Sequence, residues 1–163
     1  MKVACRKESQ SKQIELLTQK LFGILIDAVP GSSELISLQS IASFLELLYQ
    51  KVDLQIEECI IATILLQRFI QKQVQKNVYI LNTSNAGMVL IVSFMLSLKL
   101  HRDSVNKNIY FAKLFEVSIF DLNMSIAGFL RLVDHDTWVQ EEQYLIELEQ
   151  YKIYDEMEVT LLI

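Results

Sequence analysis

Few residues in this sequence are of the types that do catalytic or metal chemistry, and the one compact group of them is Asp134-His135-Asp136. Carboxylates beside an imidazole could bind a metal ion or exchange protons with a substrate. Three successive residues cannot all converge on one site without a special turn, and no other ligand residues are patterned nearby. We therefore interpret this segment as a solvent-exposed turn between helices, and the sequence predicts no catalytic residue and no metal site.

Glycine and cysteine usage excludes two further kinds of site. The four glycines are not grouped, which excludes a glycine-rich phosphate loop. Cys5 and Cys59 have neither a CxxC spacing nor a dense pattern, so we expect both to be reduced, in an intracellular protein. We accordingly expect no cofactor, no small-molecule substrate and no enzymatic activity.

The charge balance argues against binding to nucleic acid. The formal net charge is −5 and the sequence pI is about 5.1, whereas a nucleic-acid surface is basic. Two basic clusters are present, but neither is interleaved with aromatic residues as a single-strand groove would be, so we interpret both as solvated faces. The clusters are Lys2, Arg6, Lys7 and Lys12, and Arg68, Lys72 and Lys76.

A hydrophobic content of 52 % is high and is typical of either a membrane segment or an apolar docking surface. The best candidate span, Ala86 to Leu98, is interrupted by Ser93 and Ser97 and is shorter than the roughly 20 residues that a spanning helix needs. The N-terminal segment MKVACRKESQ lacks the apolar stretch of a signal peptide. We expect no membrane segment and an intracellular location, cytoplasmic, nuclear or both.

The element that should organise the fold is a helix over Ala86 to Lys99. Met88 through Met95 contains a single polar residue, Ser93, so this helix is apolar on all sides. Such a helix must be surrounded by other helices. Asn82 to Asn85 offers N-caps, and the cations that follow Leu98 suit the negative end of the helix dipole.

Two helices precede a third in the N-terminal half. The first should begin at Ser9 and stop before Pro30, since the residue preceding a proline is disfavoured in a helix. Pro30 to Ser33 is a breaker that connects it to a second helix, capped by Ser37 or Ser40.

The third helix is predicted to follow Asp53 as its N-cap. Glu57 and Glu58 would lie in its first turn, where acidic side chains suit the positive end of the helix dipole. Gln71 to Asn77 reads as a polar tail to this helix.

Three helices are predicted in the C-terminal half. Asn108 should open a short helix, Ser118 with Asp121 forms a capping-box pattern before a longer one, and Thr137 with Gln140 repeats that logic before a last helix. The sequence therefore predicts an all-α protein, in which five helices between Leu38 and Val133 carry one added helix at each end.

The domain limits follow from the same reading. We expect a flexible N-terminus over residues 1–8, one helical domain over residues 9–154 and a C-terminal tail over residues 155–163. The apolar end of that tail, 159–163, is too short to build a sheet on.

Several short motifs lie in the order and at nearly the spacing of the cyclin box, and the chain resembles the PHO-type (P- or U-type) cyclins within that family. The resemblance covers about Ile36 to Tyr151. The motifs are Ile36-Ser37-Leu38, LLQRFI over 65–70, SLKL over 97–100, NIYFA over 108–112, Val117-Ser118, Asp121-Leu122-Asn123, Phe129-Leu130, and Val139 with Glu142 and Tyr144.

The resemblance implies a single five-helix cyclin box with flanking helices, and a function as a non-catalytic regulator of a cyclin-dependent protein kinase. Cyclins dock on the kinase helix that carries an active-site glutamate and hold it in the active arrangement, which requires tighter binding to that arrangement. The family lysine that hydrogen-bonds kinase backbone maps to Lys99. The kinase-contact candidates that the resemblance implies are Lys99, Leu100, Ile126, Leu130 and His135.

Three polar members of the family signature are replaced here. The family glutamate falls at Ile126, the aspartate at Gln67 and the first-helix arginine at Leu47. Either a kinase is held mainly through apolar contacts, or the box serves as a scaffold or adaptor for a partner that is not a kinase. Ile126 itself is either a core residue or an interface residue.

Overall fold

A computed structural model of the chain describes the backbone of residues 2–161 and the side chains of residues 4 and 8–152. Within that range the protein is all-helical, as predicted, and contains no strand. The helices are α1 (Lys2–Ala28), α2 (Leu38–Val52), α3 (Ile56–Gln75), α4 (Ala86–His101), α5 (Asn108–Leu114), α6 (Ile119–Leu132) and α7 (Glu141–Leu161), with a 3₁₀ turn at Ser32–Glu34.

The chain divides into two compact units. The first comprises Met1–Gln55 with Glu141–Ile163, and the second comprises Ile56–Gln140. In the first unit, α1 packs against both α2 and α7. Leu21 and Leu25 on α1 and Leu45 and Leu48 on α2 are fully buried, because each pair is spaced to lie on one face of its helix.

Both terminal helices are longer than the sequence indicates. Helix α1 begins at Lys2, whereas we predicted a helix start at Ser9; residues 2–8 contain neither glycine nor proline, so nothing in them ends a helix. It stops at Ala28, ahead of Pro30, as predicted. Helix α7 begins at Glu141, so Thr137 is not its N-cap, contrary to the predicted capping pattern; the helix runs through Leu161, and residues 162 and 163 lie outside the described range. The predicted domain limits themselves stay a prediction.

The boundary between α2 and α3 confirms one predicted cap and corrects another. Ser37 is the N-cap of α2, and its hydroxyl accepts a hydrogen bond of 3.1 Å from the Ser40 amide. Asp53, which we predicted to be the N-cap of α3, is the C-terminal cap of α2 in the left-handed conformation, with φ 51°. That conformation ends α2 and delays the start of α3 to Ile56, and Asp is one of the few residue types that tolerate it.

The second unit is built around α4, as predicted. This helix packs against α3 and α6, and every residue from Val92 to Leu98 is buried. Ile91 is half-buried, so the surroundings of α4 leave one side partly open. At its start Asn85 does not cap the first turn; its side chain instead donates to the Ile80 carbonyl at 2.8 Å and accepts from the Asn82 amide.

Two further features of the second unit concern α3 and α6. Ser118 is the N-cap of α6, and its hydroxyl accepts from the Asp121 amide at 2.9 Å, as the capping pattern predicts. The Gln71–Asn77 segment is not wholly a polar tail, because Gln73 is buried and its side-chain oxygen accepts from the Leu81 amide at 3.1 Å. That bond satisfies both groups and ties the chain between α3 and α4 back onto α3.

Candidate functional site

Lys99 lies at the end of α4 and takes part in a polar cluster drawn from three helices. Its ammonium donates to Asn108 Oδ1 at 2.6 Å, and Asn108 Nδ2 donates to Asn123 Oδ1 at 3.0 Å. Asn108 is the first residue of α5, and Asn123 lies in the second turn of α6. The cluster therefore connects the exit of α4 to the beginnings of the next two helices. Lys99 and Asn123 are exposed.

Three exposed apolar residues are neighbours of members of this cluster in sequence or in helix register. Leu100 and Ile109 follow directly after Lys99 and Asn108, and Phe120 lies one turn before Asn123 on α6. The exposed fraction is 49 % for Leu100, 45 % for Ile109 and 70 % for Phe120. We call Lys99, Leu100, Asn108, Ile109, Phe120 and Asn123 together the Lys99 surface.

Of the other predicted kinase-contact residues, Ile126 and Leu130 lie close to Asn123 in the register of α6. They follow it by three and seven residues, which places all three on one side of the helix. Ile126 and Leu130 are each half-buried, so they are neither core residues nor fully exposed ones. The role of all five predicted contact residues stays a prediction.

His135 lies apart from the Lys99 surface in the sequence, in the turn that ends α6. It is exposed and adopts the left-handed conformation with φ 56°, as does Asp134 with φ 57°. Its backbone amide donates to the Leu130 carbonyl at 2.7 Å, which satisfies a carbonyl at the end of the helix. The interpretation of Asp134-His135-Asp136 as an exposed turn is therefore confirmed.

The turn binds the basic residues Arg68 and Lys72 of α3 and Lys76, which directly follows α3, and this corrects our interpretation of these three residues as a solvated face. Lys76 lies 2.5 Å from Asp134 and also donates to the Leu132 carbonyl at 2.7 Å, and Lys72 lies 3.5 Å from the other oxygen of Asp134. Arg68 donates to the Asp136 carbonyl at 2.7 Å. The hydrogen bond from Lys76, assisted by the charges of Lys76 and Lys72, holds the pKa of Asp134 below its usual range, although partial desolvation acts in the opposite direction.

Glu58 lies in the first turn of α3, as predicted, and it is buried there. Its side chain is fully buried, and Arg102 donates to both carboxylate oxygens, from Nε and Nη2, at 2.6 Å each. His101 Nδ1 lies 3.0 Å from Glu58 Oε2, and the Ser97 hydroxyl donates to the Glu58 carbonyl at 2.5 Å. These contacts fix the last turn of α4, the turn that carries Lys99.

An apolar cavity of about 140 Å³ lies among α3, α4 and α6 in the second unit. Phe69, Val89, Val92 and Phe129 contribute to its walls, and none of its lining residues is titratable. The cavity therefore offers an apolar pocket without acid–base machinery.

The residues that the structure describes lack both a metal-binding cluster and a membrane-spanning helix. They contain no group of three or more His, Cys, Asp or Glu residues that could hold a metal ion. In the same part of the chain, none of the helices combines the length and the apolar character needed to cross a membrane. Cys59 is buried and is not part of a disulfide, and the side chain of Cys5 lies outside the described residues.

Comparison with known proteins gives one match. The family model described as Cyclin matches residues 32–137, a range that contains all of α2 through α6. The comparisons with curated proteins and with solved structures found no match. The match confirms that the five consecutive helices form a cyclin box, and members of this family are generally non-catalytic regulators. Because the match spans well over half of the sequence, the chain belongs to the cyclin family.

Proposed function

We propose that this chain is a regulatory subunit of a cyclin-dependent protein kinase and that it belongs to the PHO-type cyclins. The observation that carries the proposal is the cyclin match across α2 to α6, combined with the exposed lysine at the end of α4. Lys99 occupies the position of the family lysine that hydrogen-bonds kinase backbone. The charged end of its side chain keeps free N–H donors beyond its bond to Asn108, because an ammonium has three.

The mechanism of such a regulator is a shift in a conformational equilibrium. The cyclin binds the kinase arrangement in which the active-site helix is turned inward more tightly than the arrangement in which it is turned outward. A shift from almost wholly inactive to almost wholly active requires a difference of about 5.5 kcal/mol between the two binding free energies. The exposed apolar residues of the Lys99 surface contribute to that difference to the extent that the active arrangement of the kinase covers more of them than the inactive arrangement does.

The replaced signature residues bear on how a kinase would be held. Ile126 cannot supply the hydrogen bond that a glutamate makes, so apolar contact around Phe120, Ile109 and Leu100 has to contribute a larger share of the affinity. The same replacements favour a second candidate function, a cyclin-fold scaffold or adaptor whose partner is not a kinase. Gln67 and Leu47, at the other two replaced positions, are half-buried and support neither function over the other.

An affinity pull-down with the full-length chain separates the two candidate functions. The co-purifying proteins are identified by mass spectrometry and assayed for phosphotransfer to a general kinase substrate. We expect a cyclin-dependent kinase to be retained by the wild-type chain and lost with Phe120→Asp. Retention of a partner without a kinase domain, with no kinase present, would favour the scaffold.

Tyr79→Asp is the matched control. Tyr79 is an aromatic residue exposed to 75 %, against 70 % for Phe120. It precedes the start of α4, whereas Lys99 lies at the end of that helix, which is about 24 Å long. The Tyr79 variant should therefore retain the kinase.

A further inference from the structure

We propose that Asn123, oriented through Asn108 by Lys99, is a second hydrogen-bond donor to the kinase, one that supplies polar recognition where Ile126 cannot. The inference rests on the proposed function, because it names a binding residue of the same surface. The group on the kinase that accepts this hydrogen bond is an oxygen atom, from either a backbone carbonyl or a carboxylate.

The orientation of both amides follows from the chemistry of lysine. An ammonium can only donate, so the Asn108 atom that lies 2.6 Å from Lys99 has to be the amide oxygen. That choice turns Asn108 Nδ2 toward Asn123, and the Asn123 atom 3.0 Å away has to be an oxygen in turn. The NH₂ group of Asn123 is thereby directed away from the cluster.

The cluster consequently presents donors outward. Each amide oxygen in it already accepts one hydrogen bond, while Asn123 keeps its NH₂ group and Lys99 keeps the rest of its N–H bonds. Asn123 is exposed, so this group is accessible to a partner. Such an arrangement matches acceptor oxygens and disfavours a partner that presents N–H groups.

The position of Asn123 also suits this role. It is one turn after Phe120 and one turn before Ile126, on the side of α6 that the resemblance assigns to the kinase. A kinase that covers the exposed Phe120 ring would therefore lie close to the Asn123 amide. The Asn123 amide therefore offers a polar group one turn from Ile126, whose own side chain has none.

The test is a calorimetric titration of the kinase identified by the pull-down against the wild type and variants of the full-length chain. Asn123→Ala removes the donors and should weaken binding on the order of tenfold. Asn123→Asp keeps the oxygen that accepts from Asn108 but replaces the donors by a second acceptor, and should weaken binding on the order of a hundredfold. Gln71→Ala, an exposed amide on α3, is the control and should bind as the wild type does.

Thermal melts separate this role from a structural one. Because Asn123→Asp retains its bond from Asn108, its melting midpoint should equal that of the wild type. If Asn123 had only a structural role, this variant would then bind the kinase with unchanged affinity. The double variant Lys99→Ala with Asn123→Ala should lose less affinity than the two single losses combined, since the cluster acts as a unit. A steep salt dependence of the affinity loss in Asn123→Asp would identify a carboxylate as the acceptor, because two carboxylates repel each other, and a shallow one would identify a carbonyl.

Two results would overturn the inference, and they are distinguishable. If wild type and Lys99→Ala differ in affinity but Asn123→Asp binds within twofold of the wild type, the inference fails and the proposed function stands. If the wild-type chain binds no kinase at all, the proposed function fails and the inference fails with it.

Discussion

The carboxylate of Glu58 is fully buried and receives two hydrogen bonds from the guanidinium of Arg102, each of 2.6 Å. A planar guanidinium matches both oxygens of a carboxylate, and this paired geometry is the strongest kind of side-chain hydrogen bonding. Glu58 lies in the first turn of α3, and Arg102 directly follows α4. The pair therefore sets where α4 ends and, three residues earlier, where Lys99 emerges.

Removing Arg102 should destabilise the protein strongly. Arg102→Ala leaves a buried carboxylate without its main partner, and breaking such a pair from one side costs about 3 kcal/mol or more. Urea denaturation followed by circular dichroism measures the loss. Arg131→Ala, at an exposed arginine of α6, is the control and should stay within about 0.5 kcal/mol of the wild type. If Arg102→Ala also lost less than about 0.5 kcal/mol of unfolding free energy, the buried Glu58 carboxylate would not depend on Arg102 for its stability.

The two large residues Ile91 and Phe94 of α4 should respond very differently to a charge. Phe94 is 1 % exposed, so Phe94→Asp buries an unpaired carboxylate at a cost of several kcal/mol, comparable with the stability of a domain. We expect no cooperative thermal transition for that variant. Ile91 is half-buried, so Ile91→Asp should still fold with a lowered midpoint. Equal behaviour of the two variants would contradict the placement of α4.

The pairing of Asp134 with Lys76 and Lys72 should appear in the pH dependence of stability. Because the folded-state pKa of Asp134 is depressed below its usual value of 3.8, its contribution is present above that value and is lost as the pH falls through the folded pKa. Asp134→Asn should therefore be less stable than the wild type at pH 7, and the difference in urea midpoint should shrink progressively as the pH falls below 3.8. The side chain is largely exposed, so 1 M salt should shrink the difference at pH 7. A difference that persists at low pH would show that packing, not charge, is responsible.

Truncation of Lys99 should weaken kinase binding without affecting the fold. Lys99→Ala removes charge-assisted hydrogen bonds to the kinase, which we expect to cost about 1.5 to 3 kcal/mol of binding free energy. The side chain is exposed, so the melting midpoint should barely change. Lys51→Ala, at an exposed lysine in the last turn of α2, is the matched control and should bind normally. Undiminished affinity of the Lys99 variant would leave the kinase proposal to rest on the family relationship alone.

Restoring the family glutamate should separate the two interpretations of Ile126. Since this side chain is half-buried, Ile126→Glu should leave the protein folded with a loss of about 1 to 2 kcal/mol. If Ile126 faces the kinase, affinity should rise, because the missing hydrogen-bond acceptor is regained. A destabilisation of several kcal/mol with unchanged affinity would assign Ile126 to the core. Paired melts and titrations measure both quantities.

Local patterns sufficed to predict most helices and several of their ends. Ser37 and Ser118 were recognised as caps, and Pro30 as the stop of α1, because these signals act within one turn of the chain. The burial of α4 followed from its composition, since a helix without a polar face has to be surrounded. Asp53 shows the limit of such reasoning, because Asp suits the start of one helix and the left-handed end of another equally well.

The tertiary structure alone decided which charged and polar side chains meet. Arg102 lies 44 residues from Glu58, and Asp134 lies 58 residues from Lys76. The first turn of a helix is a favourable place for Glu58 whether or not it is buried, so its sequence pattern carried no sign of burial. Lys99 was identified by its family position, but its bond to Asn108 and the link from there to Asn123 depend on how α4, α5 and α6 pack. A helical stripe or cap depends on neighbours three or four residues away, whereas an ion pair or an amide cluster depends on the angle and register between helices, and a local sequence pattern does not encode those.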